Sequence, residues 1–406
     1  MTGGGGWIII AVMLVLGAVR GAAAQPATPP LDPSAPARMQ IGPIGLHPAL
    51  ILREVGYDSN VLNEETGEEG DFTATIGARL DVGLRLSKVA ATYNTFYEYL
   101  YFKQLADERG SNRGVEGRVD FLLGRLRPHV IAGVKSSHER PSPEIDARAL
   151  RQLSTIGFGL ATTALSRTTL SVAYRRNATE FADDETFRGV DLAEELNEQA
   201  HAISYGADFV LSPLTTVAVH GEELRERFTL SPDRDADSHR YGVTALLNPL
   251  ALISGRATIG LAAFRPVSPL VPDFTGLVAA ISVGYGFGGD SRLGLTVDRD
   301  VRHSYVEDTP YYVASGMRVT YGRRLIRNLD GEAMAGWDRI VYEARLDAPP
   351  TSGEHDRVAT YGGGVAVRLS DQTKIGINFD YTTRSSPVDS REYSRGRLLA
   401  TVTYGF

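Results

Sequence analysis

Residues 72–86 read FTATIGARLDVGLRL. Phe72, Ala74, Ile76, Ala78, Leu80, Val82, Leu84 and Leu86 fall on one parity. Thr73, Thr75, Gly77, Arg79, Asp81, Gly83 and Arg85 fall on the other. A helix would scatter both sets around its axis. A strand sorts them onto two faces, because its side chains alternate with period two. One face is then wholly apolar, and the other holds charge, glycine and threonine.

The same sorting recurs to the C-terminus. Leu277, Ala279, Ile281, Val283, Tyr285 and Phe287 share a parity, as do Ile375, Ile377, Phe379 and Tyr381, and then Leu398, Ala400, Val402, Tyr404 and Phe406. Segments of about 9–14 residues break at Gly, Pro, Asp, Asn or Ser, longer than the usual strand of a soluble sandwich. Strands of about 9–11 residues suit a tilted crossing of a hydrocarbon layer, and only a closed barrel satisfies their backbone groups there. Short connections such as residues 87–89 and 166–168 alternate with long acidic ones such as 58–71, 182–198 and 346–356. The pattern predicts an all-β, antiparallel, up-and-down transmembrane barrel of about eighteen strands over residues 45–406, with sixteen as the alternative. An even count puts both termini on the short-turn side. Loop 182–198 is the longest candidate lid. Tyr93, Tyr97, Tyr99 and Tyr101 share one parity near a segment end, as an interfacial girdle requires.

Composition narrows the class. The 406 residues carry a net charge of -7, so no basic excess points to nucleic acid. With no cysteine, disulfides, thiolate metal sites and cysteine nucleophiles are excluded. The one long apolar run, WIIIAVMLVLGAV at 7–19, is short for a span, and small residues up to Ala24 follow it. Residues 1–24 read as a signal peptide, although MTGGGG carries no Lys or Arg, and an uncleaved anchor is the other reading. Residues 25–44, rich in Pro and Ala, read as a periplasmic tether.

The chain ends in Tyr404-Gly405-Phe406 on an amphipathic strand, which resembles the signal read by the barrel-insertion machinery of Gram-negative outer membranes. With REVGYDSNVL at 53–62 and the Tyr-rich third segment, the chain is similar to a β-barrel porin family associated with exopolysaccharide loci. The resemblance implies an outer-membrane location, lipid around the barrel, passive passage of hydrophilic solutes, and a link to secreted polysaccharide. A closed structural or binding barrel, whose outer loops hold polysaccharide or a partner, is the alternative. Oligomeric state has no signature.

No catalytic motif is present, and no enzyme activity or cofactor is expected. The eight histidines show no metal-ligand spacing, and no metal site is expected from them. His138-Glu139 and His355-Asp356 are sequence neighbours, so a strand would point each pair apart. The acidic loop NEETGEEGD at 63–71 has carboxylates for calcium but no EF-hand spacing, and a solvated loop explains it. The informative residues are charges on the polar parity. Arg79, Asp81, Arg85, Glu98, Glu116, Arg118, Asp120, Asp208, Glu222, Arg292, Asp298, Asp300, Arg318, Asp338, Arg368, Lys374, Asp380 and Arg397 are expected to line the lumen. Both signs interleave, so bracing of the wall and weak charge selection are both open to them.

Overall fold

The computed structural model describes residues 39–348, 355–370 and 373–405. The leader at 1–24, most of the tether and Phe406 lie outside them. Met39–Ile41, at the end of the tether, forms a short strand against the start of the barrel.

Eighteen long strands follow in chain order. They are β1 (Ile44–Asp58), β2 (Asp71–Arg85), β3 (Val89–Phe102), β4 (Gly110–Phe121), β5 (Leu126–Glu139), β6 (Ala149–Leu165), β7 (Thr168–Phe181), β8 (Glu198–Ser212) and β9 (Thr215–Phe228). They continue as β10 (Ala236–Leu247), β11 (Ile253–Pro266), β12 (Phe274–Phe287), β13 (Ser291–His303), β14 (Tyr311–Ile326), β15 (Leu329–Glu343), β16 (His355–Arg368), β17 (Thr373–Ser385) and β18 (Tyr393–Gly405). Each pairs antiparallel with its sequence neighbours, and β1 pairs with β18 from Ala49↔Gly405 to Asp58↔Arg397, so the sheet closes. Connections alternate between two to five residues at one end and seven to sixteen at the other. Eighteen, not sixteen, is the count; the segments around residues 241–264 are two strands joined by the five-residue turn 248–252.

The parity read from 72–86 holds in register. Phe72, Ile76, Tyr97, Phe158, Tyr241 and Phe379 are all more than two-fifths exposed on the outer face. Tyr93, Tyr97, Tyr99 and Tyr101 stand there too. The outer face is not free of charge along the whole of every strand. Arg176, Arg225, Arg227 and Asp237 share its parity at the loop end. The physical reason is length. A strand of 14 residues is about 46 Å long, more than a tilted strand needs to cross an apolar band about 25 Å tall. The excess stands above the band, where charge is not excluded.

Glycine makes room on the inner face. A Cβ on Gly77 would lie 2.7 Å from Cγ of Glu98, and one on Gly316 would lie 2.2 Å from Oδ1 of Asp338. Each glycine sits opposite a longer polar side chain on the next strand.

The barrel departs from a plain cylinder between β12 and β13. Their pairing stops at Ala279↔Arg299, although both strands continue toward the loop end. Above that point the β13–β14 hairpin leans into the mouth. His303, on the parity of the outward Leu293, packs edge-on against Phe228 and Phe264 on the inner face of the adjoining wall. Val301, Tyr311 and Val313 bury against Ala236, Phe264 and Val271. Arg299 Nε donates to the Leu277 carbonyl at 3.1 Å across the opened seam, satisfying one edge acceptor.

A candidate constriction in the barrel mouth

Three loops meet where the hairpin leans in. Loop 140–148 joins β5 to β6, loop 182–197 joins β7 to β8, and loop 304–310 joins β13 to β14. They arise from opposite sides of the barrel. Loop 182–197 contains the short helix α1 (Leu192–Leu196), whose first turn is capped by the Asp191 carboxylate accepting from the Ala193 and Glu194 N–H groups. Ile145, Phe187, Leu192, Ala193 and Tyr305 form one buried apolar cluster with Ala149 and Phe181 of the wall. Phe187 and Tyr305 meet edge-to-face at 5.0 Å between ring centroids.

Polar contacts fix this cluster. Glu144 is 2% exposed. It accepts a hydrogen bond from the Ser304 hydroxyl at 2.7 Å and another from the Tyr305 N–H at 3.3 Å. Burial is the main cause that lifts its carboxyl to about 7, and the Ser304 bond and nearby Arg391 oppose that rise. Arg384, on β17, pairs with Asp146 and with Asp356 and donates to the Pro143 carbonyl at 2.9 Å. Arg234 donates to the Ser304 carbonyl and pairs with Glu195 at 2.6 Å. Arg188 donates to Ser390 Oγ at 3.0 Å, tying loop 182–197 to the loop between β17 and β18. The 59–70 loop joins in through Asn63, whose amide donates to Asp146 at 3.1 Å, and Val61, whose carbonyl accepts from Arg140 at 2.7 Å. Loop 63–71, weighed above for calcium, thus contributes to the mouth through Asn63.

Below the mouth the polar face is a wall of ion pairs. Arg79 meets Asp81 at 2.9 Å, Arg118 meets Asp120 at 2.6 Å, and Arg397 meets Asp380 at 2.9 Å. Asp298 pairs with Arg302 and Asp300 with Arg240, both at 2.9 Å. Arg368 pairs with Asp330 at 3.0 Å, Glu98 with Arg53 at 2.8 Å, and Glu222 with Arg175 at 3.9 Å. Arg318 and Asp338 are diagonal neighbours on β14 and β15. Asp208 is buried on β8, and Arg292 donates to Ser254 Oγ at 3.4 Å. Arg85, Glu116 and Lys374 share the face without an ion-pair partner among the described residues. A cavity of about 330 Å³ lies against this wall where the barrel closes, lined by Arg53, Glu98, Asn378, Asp380 and Thr401 among others. Tyr404 stands on the outer face, 36% exposed.

Spacing alone missed one group. Glu198, Glu226 and His303 bring their donor atoms within 4.8 Å of one another, a set that could surround a small cation. His303 Nε2 lies 3.4 Å from Glu226, so an imidazolium–carboxylate pair accounts for the arrangement. The two glutamates lie on neighbouring strands and His303 arrives only because the hairpin leans across. His355 and Asp356 point apart, and Asp356 is taken by Arg384.

The sequence matches the family described as Putative beta-barrel porin 2 over residues 32–406. The chain belongs to this porin family. Its location is the outer membrane; barrels of that membrane present an apolar band to lipid and turn their short connections to the periplasm. Among solved structures it is similar to the outer membrane protein OpdK from Pseudomonas aeruginosa, with TM-score 0.52 and 11% identity over 89% of this chain and 99% of that one. The BenF-like porin from Pseudomonas fluorescens Pf-5 matches with TM-score 0.52 and 12% identity over 89% and 99%. OccK9 (OpdG) of Pseudomonas aeruginosa gives 0.51 and 12% over 89% and 98%. At these identities the likeness concerns the fold. No curated protein matches the chain.

Proposed function

We propose that this porin is a passive channel for small hydrophilic solutes, narrowed at its outer mouth by loops 140–148, 182–197 and 304–310. The observation that carries the reading is the Glu144–Ser304 bond, which joins loops from opposite sides above a charge-lined bore. An eighteen-stranded barrel is wide enough for an aqueous channel unless loops fill it, so the loops set its passage. Of the wall residues named from sequence, those in ion pairs, such as Arg79–Asp81 and Arg397–Asp380, brace the bore, and the others, such as Arg85, Glu116 and Lys374, present charge to passing solute. No energy source or reaction is assigned, and the barrel conducts rather than catalyses.

A packed mouth favours small solutes over a polymer. Secreted polysaccharide, implied by the family resemblance, would need the three loops to part. The rival reading is a closed barrel whose loops hold glycan or a partner. Planar-bilayer recordings separate them. The intact protein should give small, stable conductance steps, and replacing residues 183–196 by a short Gly-Ser linker should enlarge them several-fold. A barrel silent before and after that replacement would be structural, not a channel.

A further inference from the structure

The outer wall carries a second feature that conduction does not use. Across β13 to β17 the register aligns Arg299↔Ser315↔Arg339↔Arg357↔Ser385 in one row. All five share the parity of Leu293, Met317, Trp337, Tyr361 and Tyr381, which are exposed on the lipid side. Five adjacent strands therefore present a hydrogen-bond donor outward in one row, which climbs about 3 Å per strand because the strands are tilted. Trp337 lies one outward position below Arg339, and Tyr361 two below Arg357. Trp337 and Tyr361 touch edge-to-face at 6.2 Å. Such aromatics mark the boundary between hydrocarbon and headgroups, which puts the arginine row at headgroup height on the outer leaflet.

Among the described residues the row has no counter-charge of its own. Arg339 and Arg357 are exposed and directly opposite each other, and neither has an ion-pair partner among the described residues. Arg299 donates to Ser315 Oγ at 2.7 Å and to the Leu277 carbonyl, so its charge is also unmatched by a carboxylate. On β15 the next acid of the same parity is Glu343, four residues on, about 13 Å along the strand. Like charges directly opposite each other across a strand pair are destabilising. Many arginines of the inner wall pair with acids, as Arg79, Arg118 and Arg397 do; here three stand together without one among the described residues.

We propose that Arg299, Arg339 and Arg357 bind the phosphate groups of an outer-leaflet glycolipid, with Ser315 and Ser385 as flanking donors. Guanidinium groups match phosphate in a forked, two-bond geometry. The charge is complementary, the height is that of the headgroups, and the aromatic belt beneath accommodates the acyl chains. The lipid would offset the repulsion within the row and cover the seam where the β13–β14 hairpin leaves the wall.

The test uses the full-length protein in phosphatidylcholine nanodiscs doped with diphosphorylated lipid A, or with the same lipid after enzymatic removal of its phosphates. Retained lipid is read by native mass spectrometry. The wild type should retain the phosphorylated lipid and lose the dephosphorylated one. R339Q/R357Q should weaken retention about tenfold, for two lost charge-assisted contacts, while R339K/R357K keeps part of it. Heat-modifiable gel mobility checks that each variant is folded. Equal retention of both lipids by the wild type, or undiminished retention by the folded Gln variant, overturns the proposal. The lipid comparison needs no variant, so it decides even if the Gln variant does not fold.

Discussion

Glu144, on the loop between β5 and β6, accepts a 2.7 Å hydrogen bond from the hydroxyl of Ser304, on the loop between β13 and β14. The two residues are 160 positions apart in the chain and come from opposite sides of the barrel. A contact of this kind closes a mouth only while both loops stay in place, and the buried carboxyl makes it sensitive to pH.

Burial lifts Glu144 to about 7 from an ordinary 4.5. Opening the loops would expose it and return it toward 4.5, so the packed mouth binds the proton more tightly than the opened one. The stabilisation is full below pH 4.5, declines as pH rises, and has gone by about pH 7. At 1.36 kcal/mol per pH unit the span is about 3 kcal/mol. Open probability in planar bilayers should therefore rise from pH 5 to 7 and level off above. Glu144→Gln keeps an acceptor for Ser304 and should flatten that dependence; an unchanged profile would assign the pH response to another group.

Arg384 is 1% exposed at its side chain and holds Asp146 and Asp356 together. Arg384→Met would leave buried Asp356 and half-buried Asp146 with only their longer ion pairs, to Arg391 at 3.9 Å and to Arg140 at 4.0 Å. Breaking a buried pair in this way costs about 3–5 kcal/mol. Loop 140–148 should loosen, so trypsin should cut between Arg148 and Ala149 in the variant and spare that bond in the wild type. Adding Asp356→Asn should restore part of the protection, because one of the stranded charges is then removed.

The fold was legible because alternation is a local signal. Residues 72–86 contain their own two faces, and every later strand repeats the statement without reference to the rest of the chain. The mouth was not legible, for the opposite reason. Glu144, Ser304, Arg384 and Asp146 look like ordinary loop and strand-end residues, and their pairing depends on which way the loops turn. The inward lean of the β13–β14 hairpin hid His303 from any spacing rule: its parity says outward, yet its ring meets Phe228 and Phe264 inside. The outer arginines were readable in principle, since Arg299, Arg339 and Arg357 each interrupt an apolar parity. Only the register shows that they stand side by side.

Closure of the barrel depends on one glycine. β1 bulges between Arg53 and Gly56 relative to β2, and between Leu52 and Val55 relative to β18. Glu54 takes up the bend with φ 56°. A Cβ on Gly56 would lie 2.0 Å from the Leu398 carbonyl oxygen, a backbone atom that cannot rotate away. Gly56→Ala should therefore impair seam pairing between β1 and β18. The heat-modifiable band of the folded barrel should be lost or shifted to a much lower unfolding temperature, whereas Gly286→Ala, with open space around the added methyl, should leave it unchanged.

The wall charges imply weak selectivity, and one of them offers a way to bias it. Asp380 and Arg397 stand 2.9 Å apart, and Asp380 borders the cavity where the barrel closes, beside Arg53 and Glu98. In the wild type each cation there has an acid at hand, so a salt gradient should give a zero-current potential near zero. Asp380→Asn keeps the size of the side chain, removes a negative charge from the cavity lining and takes from Arg397 its 2.9 Å partner. The added positive field should turn the channel toward anions, read as a zero-current potential of the corresponding sign that fades at high salt. If the potential stays at the wild-type value at low salt, ions do not pass along this part of the wall, and the conduction path must be sought on the opposite side, near Asp208.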